Sequence, residues 1–327
     1  MLGADRAKEN EMYDVIVVGG GAAGLSGALA LVRSRRSVLV IDQGDPRNAP
    51  ADGVHNYLSR DGIPPLELTA IGRQEVIGYG GEVITGTVTS ARATSGPEIG
   101  FVVETADGRS FEARRLLVTT GVTDQLPDVP GLVERFGRDV LHCPFCHGWE
   151  VRDQAIGVLA TGPMAIHQAM MFRQLTDDLT LFLHTGPEPT EQQWEELAAR
   201  GISVVQGVVE QVEVTDDRLT GVRLAGGRVI PRQALVVQTY LRARAEFLDE
   251  LGLKPGEREM RGVTVGVAVD AGPAGTTSVP GVWVAGNVTD PMAQVITSAA
   301  AGLAAGAGIN GELVGEDTRL AVAARSS

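Results

Sequence analysis

The sequence predicts an α/β protein with two Rossmann-like, three-layer nucleotide-binding units, and three observations carry that expectation. A strand, glycine turn, helix and strand follow one another over residues 13–42. A looser copy of the pattern occupies residues 155–183. The chain also holds 42 glycines in 327 residues, more tight turns and close approaches than average composition requires. The length suits two domains or one large one. Hydrophobic residues make up 43% and charged residues 21%, the balance of an ordinary globular chain.

The first unit justifies itself element by element. Tyr13-Asp14-Val15-Ile16-Val17-Val18 is a buried-strand run, residues 25–33 form a helix rich in alanine and leucine, and Ser37-Val38-Leu39-Val40-Ile41-Asp42 is a second strand ending in an acid. Between strand and helix lies Gly19-Gly20-Gly21-Ala22-Ala23-Gly24, a dinucleotide fingerprint. Gly19 permits the tight turn, Gly21 lets the backbone approach a pyrophosphate, and Gly24 lets the helix pack closely. The helix N-terminus offers free N–H groups and partial positive charge to phosphates. Asp42, 23 residues after Gly19, is placed to accept from a ribose hydroxyl.

Residues 80–89, 101–105 and 110–119 read as strands of a small sheet region, ending at Thr119-Thr120-Gly121, a typical chain crossing. Asp128-Val129-Pro130-Gly131 is a turn cluster and a candidate domain boundary. The second unit begins with strand 155–160, followed by helix 166–175, strand 179–183, helix 191–200 and a hairpin-like β region over 222–237. Residues 281–287 form a strand into a tight turn. Residues 294–309 form a helix of small residues, which suits close packing on a sheet and also close approach to a cofactor.

Charge excludes some functions. The formal net charge is -13, from 28 basic and 41 acidic residues, which argues against a nucleic-acid partner and against an anionic membrane surface. Residues 15–32 carry no charge, but Gly19-Gly20-Gly21 and Gly24 break them into strand and helix, so they are not a membrane span. The polar residues 1–11 lack an apolar signal segment, and a cytoplasmic location is expected.

The chain has two cysteines, together in Cys143-Pro144-Phe145-Cys146. A structural disulfide here would close a tiny loop and restrain the unfolded chain little. Zinc needs four ligands, and although His142 and His147 flank the pair, four donors within six residues hardly reach one tetrahedral centre, so no metal is expected. A redox-active pair remains. The reactive species in exchange is the thiolate, and a neighbouring histidine can take its proton. His147 is the first candidate for that base and His142 the second.

Together these motifs resemble the thioredoxin-reductase-like flavoproteins, over residues 13–311. The resemblance rests on Gly19-Gly20-Gly21-Ala22-Ala23-Gly24, Thr119-Thr120-Gly121, Cys143-Pro144-Phe145-Cys146 and Val284-Ala285-Gly286-Asn287-Val288-Thr289-Asp290, in that order and spacing. It implies FAD as cofactor, a homodimer, and a FAD domain made of residues 1–122 and 244–327, with residues 123–243 inserted as a pyridine-nucleotide-type domain. It implies that Cys146 lies against the flavin and Cys143 meets the substrate. It also implies flavin contacts from Asn56 near the ring, from Gly121 and Gly286, from Asn287 toward the ribityl chain, and from Gln294 beside the ring. Asn287 stands where relatives carry Asp, and Ala293 where they carry Arg.

Larger departures lie in the second unit. The family's nucleotide fingerprint has glycine where this chain has Ala160, in Ala160-Thr161-Gly162-Pro163-Met164-Ala165. The arginines that meet a 2′-phosphate are replaced by Thr185-Gly186 after His184. These losses make NAD(P)H binding doubtful. They resemble a branch of dithiol oxidases that close disulfides in natural products such as gliotoxin and holomycin, with oxygen as electron acceptor. The leading expectation is therefore a dithiol oxidase acting on a small-molecule dithiol. Its rivals are an NAD(P)H-dependent disulfide reductase acting on a thioredoxin-like protein, and a flavin-bound redox sensor.

Overall fold

The computed structural model describes residues 12–95 and 98–326, and all counts below refer to these. Two parallel-cored sheets organise the chain. The larger has seven strands. Its parallel core runs Glu82–Thr85, Val38–Asp42, Tyr13–Val18, Ser110–Val118. Strand Ser110–Val118 is shared. Its first half pairs antiparallel with Phe101–Thr105, and its second half pairs parallel with Val282–Val284 from the far end of the chain. Val88–Ala93 completes the antiparallel edge.

The period-two alternation of the first strand explains the layering. Val15 and Val17 face helices Ala22–Arg33 and Val295–Ser326, packing with Leu31, Ile309 and Leu313. Ile16 and Val18 face the opposite side, with Phe101, Phe111 and Leu248. The smaller sheet is parallel, in the order Ser203–Val205, Leu179–Phe182, Ile156–Leu159, Ala234–Val237, Val140–Leu141. One face packs on helix Met164–Phe172, and the other is covered by the meander Val209–Thr215, Arg218–Leu224, Val229–Pro231. The β region expected over 222–237 is thus divided. Its first part is a hairpin, and Ala234–Val237 is a buried strand of the parallel sheet.

The chain crosses between the sheets twice, and the crossings pair with each other. Val122–Gln125 runs antiparallel to Tyr240–Ala243, inside a four-stranded sheet completed by Gly256–Met260 and Val263–Ala268. Thr120 Oγ1 donates to the Arg244 carbonyl at 2.5 Å, and Arg244 N–H donates to the Gly121 carbonyl at 3.0 Å. Residues 119–121 lead from the larger sheet into the first crossing strand, and residues 128–131 form a turn beside the smaller sheet.

The last helix runs Val295–Ser326, well past the small-residue segment. That segment packs on the first helix more than on the sheet. A Cβ on Gly302 would stand 1.9 Å from the Ala23 carbonyl oxygen, and one on Gly306 2.6 Å from that of Gly27. Ion pairs hold the next turns. Arg115, 1% exposed, reaches Glu312 at 3.0 Å and also Glu316, while Asp317 takes Arg114 at 2.6 Å and Arg36 at 2.7 Å. Among the described residues no helix is long and apolar enough to cross a membrane.

Candidate active site

A cleft of about 800 Å³ opens where the carboxyl ends of the larger sheet's strands meet the cysteine turn, within the size range of ligand sites. Its floor is the first glycine turn. Gly19 has φ +106°, a left-handed conformation that a side chain resists, and its Cβ would stand 2.6 Å from the Thr119 carbonyl oxygen. Gly21 meets nothing within 4 Å, so its missing side chain leaves free space in the cleft. Gly24 closes the helix onto the turn, since a Cβ there would overlap the Gly19 carbonyl oxygen at 1.9 Å. The helix starts at Ala22 with no side chain capping its N-terminus, and its first residues line the cleft. This is a cradle shaped for a pyrophosphate.

Asp42 stands beside it. Its Oδ1 accepts the Gly20 N–H at 2.9 Å and its Oδ2 pairs with Arg73. Gly121 and Gly286 line the cleft with left-handed φ of +72° and +74°, and Gln294 lines it at the entry to the last helix. Asn287 also lines it, but its Nδ2 points inward to the carbonyls of Asp290, Pro291 and Ala293 at 2.9–3.1 Å. Only its Oδ1 is left for a ligand. Asn56 serves the cysteine turn. It is not among the lining residues, and its Nδ2 donates to the Phe145 carbonyl at 2.6 Å, between the two cysteines.

Cys143 and Cys146 are joined as a disulfide, their Cα atoms 5.3 Å apart. Pro144–His147 make one helical turn starting from Cys143, which Pro144 favours at the first helical position. Cys146 and His147 line the cleft and Cys143 does not, so the two sulfurs face different surroundings. Phe145 and Trp149 are exposed beside them, and Arg152 stacks 4.2 Å from the Trp149 ring centroid.

The two histidines differ in kind. The His142 ring sits in a desolvated niche, its centroid 5.6 Å from Phe136 and 6.4 Å from His147. Desolvation first, and the nearby Arg47 guanidinium second, push its pKa down to about 3. Arg47 NH2 lies 3.4 Å from its Nε2, and because arginine only donates, that nitrogen is an acceptor. Desolvation also lowers His147 below its ordinary value, with Glu150 opposing it, and both histidines line the cleft. Arg47 is further held by Asp124, in two parallel bonds of 2.6 and 2.7 Å, and Thr239 Oγ1 donates to Asp124 at 2.8 Å. Burial acts to raise Asp124, but Arg47 and Thr239 outweigh it and hold the carboxylate ionised. Arg47, Asp124, Thr239 and Arg73 were not foreseen. Each sits in a stretch without periodicity, and only contacts across many residues of sequence make them part of the site.

The second glycine-containing turn offers no comparable cradle. Ala160 is buried, and Gly186 lies so close on it that a Cβ there would stand 2.7 Å from the Ala160 Cβ. His184 turns away from the turn, its Nδ1 accepting the Val209 N–H at 3.0 Å.

A flavin-type dinucleotide cradle with a disulfide on its wall defines a disulfide oxidoreductase of the flavoprotein class. The comparisons agree. The pyridine nucleotide-disulphide oxidoreductase family model matches residues 13–306, and the chain belongs to that family. It is thioredoxin-reductase-like, with FAD as its cofactor. It is 30% identical to "Thioredoxin reductase sirT" of Leptosphaeria maculans, covering 96% of this chain and 97% of that one. Among solved structures it resembles that of HlmI, at TM-score 0.89 and 43% identity over 96% of each chain. It also resembles an oxidoreductase from Agrobacterium tumefaciens, at TM-score 0.85 and 35% identity over 93% of this chain and 99% of that one.

Proposed function

We propose that the chain is a FAD-dependent dithiol oxidase that closes a disulfide in a small-molecule dithiol. The observation that carries this reading is a disulfide set on the wall of an open cradle, beside a second turn that has Ala160 in place of its first glycine and no arginine after His184. A substrate thiolate attacks Cys143 Sγ, the Cys143–Cys146 bond breaks, and Cys146 leaves as a thiolate. The second substrate thiol then attacks the mixed disulfide at the substrate sulfur, which releases oxidised product and the Cys143 thiolate. FAD held over the turn at residues 19–24 would supply a two-electron acceptor beside Cys146, with dioxygen as the terminal oxidant and hydrogen peroxide as its product. His147 takes the substrate thiol's proton. His142 does not, because its free nitrogen accepts from Arg47 and the ring resists protonation.

Two losses disfavour NADPH as donor. Each missing charge-assisted contact costs about 1.5–3 kcal/mol, so two absent arginines weaken binding by roughly a hundredfold or more. The covered Ala160 turn adds to this. The reading assigns residues 1–122 and 244–327 to the FAD domain and 123–243 to the insert. The pairing of Val122–Gln125 with Tyr240–Ala243 supports it. It also carries a homodimer, favoured by the exposed Val314, Leu320 and Val322 on the last helix and testable by sedimentation.

Anaerobic stopped-flow mixing tests the donor. Dithiothreitol is expected to bleach the flavin much faster than NADPH, and aerobic turnover to yield peroxide. Rapid bleaching by micromolar NADPH with no response to dithiols would make the chain a reductase instead. In the same assay His147→Gln is expected to slow bleaching by about 10²–10⁴-fold. Because the His147 pKa is lowered, its neutral form persists at the ordinary value of 6.5, and the acid limb of the rate profile should lie below that.

A further inference from the structure

The cysteine turn belongs to the smaller sheet's unit and the cleft floor to the larger sheet's unit, so something must hold Cys146 at the cleft. Arg47 comes from the turn-rich segment after Asp42 and lines the cleft. It reaches both elements that carry the cysteine turn. Its fork is matched to Asp124 on the first crossing strand, and Asp124 also takes Thr239, the residue before the second crossing strand. The same NH2 that meets Asp124 Oδ1 also faces His142 Nε2, one residue before Cys143. The same residue is held from the other side, where Gln168 Nε2 lies 3.4 Å from the His142 carbonyl oxygen. Asn56, from the larger unit, grips the turn again at Phe145.

We propose that Arg47 is a positioning residue that fixes the cysteine turn against the flavin cleft, and that it keeps His142 a neutral acceptor so that His147 alone handles the proton. The bidentate geometry is the reason arginine stands there. A lysine ammonium presents one point of charge and cannot hold a carboxylate fork and an imidazole together. The charged and titratable groups around the His142 ring are Arg47 from the segment after Asp42, Asp124 from the crossing strand and His147 from the cysteine turn. Of these, Arg47 and His147 oppose protonation of His142 and Asp124 favours it. Removing the guanidinium leaves a buried carboxylate beside the ring, and His142 then titrates at higher pH.

The test compares purified, flavin-loaded wild type with Arg47→Gln, Arg47→Lys and the double variant Arg47→Gln/His142→Asn. Flavin per chain is expected to be unchanged. Bleaching by dithiothreitol is expected to slow about ten- to a hundredfold in Arg47→Gln, the scale of a small misplacement of reacting groups. Its acid limb should move up in pH, and the double variant should lose that shift. Arg47→Lys should keep the acid limb near its wild-type position while remaining slow. Carbon-13 histidine spectra give a readout free of turnover. With five histidines in the chain, His142 should stay neutral through pH 5 in wild type and titrate at higher pH in Arg47→Gln than in wild type. An unmoved His142 titration with wild-type bleaching would overturn the proposal, as would loss of flavin from a folded Arg47→Gln protein, which would make Arg47 a flavin ligand. The donor direction matters only for the choice of reductant. If NADPH bleaches the wild type and dithiothreitol does not, the oxidase reading fails, and the same variants and spectra still decide the role of Arg47.

Discussion

The turns at residues 19–24 and 160–165 both lead from a parallel strand into a helix, and they differ in what stands over them. Above the first, Gly21 faces open space and Asp42 is drawn to the Gly20 N–H. At the second, a Cβ on Gly162 would meet only Gln238 Oε1 at 3.4 Å, but Ala160 stands where the first turn has Gly19, Gly186 packs on it, and His184 serves the Val209 N–H. Both sheets keep the strand alternation that builds a core on two faces. The topology therefore persists where the turn residues differ. Nucleotide binding belongs to a few turn residues, and the sheet tolerates their loss.

The strongest way to break this comparison is to fill the two turns alike. Gly21 has φ near −79° and no neighbour within 4 Å, so Gly21→Leu is expected to fold. It should lose nearly all flavin, read as absorbance per chain. Gly162→Leu in the second turn should stay yellow and be bleached by dithiothreitol at the wild-type rate. A fully yellow Gly21→Leu protein would show that the cradle has been misassigned.

A smaller effect is expected from Gly24→Ala. Its Cβ would overlap the Gly19 backbone, whereas the matching position of the second turn is natively Ala165, buried without such a clash. Overpacking of this kind costs about 1–3 kcal/mol, and a lowered melting temperature with weakened flavin retention should report it. Unchanged melting would mean that the first turn has slack that the coordinates do not suggest. The smallest effect belongs to restoration. Ala160→Gly combined with Thr185→Arg should raise the rate of bleaching by NADPH by no more than about ten- to a hundredfold, the worth of one charged contact at about 1.5–3 kcal/mol. A gain of a thousandfold would show that these two positions alone decide the cofactor.

What could be read from the sequence follows from this division. The first turn, its strands and the cysteine pair are local patterns, with glycine, β-branched and cysteine residues at fixed spacings. They appear in the structure where they were expected. Arg47 with Asp124 and His142, and Arg73 with Asp42, lie tens of residues apart and carry no spacing signal. Asn56 was placed near the ring by resemblance, but its amide reaches a backbone carbonyl that only the folded chain brings close. The last helix was underestimated for a similar reason. Beyond residue 309 it is held by buried Leu313 and by Arg114, Arg115 and Arg36 gripping Glu312, Glu316 and Asp317, a network that no apolar stripe announces.

That helix and the strand before it set an order on synthesis. Val282–Val284 enters the sheet beside Ser110–Val118, and Gly302 and Gly306 seat the last helix on Ala23 and Gly27. Residues near the start of the chain therefore wait for residues near its end, while residues 140–237 already contain every strand of the smaller parallel sheet. On the ribosome the cysteine-bearing unit can assemble first, with both cysteines placed before the flavin cleft has its last wall.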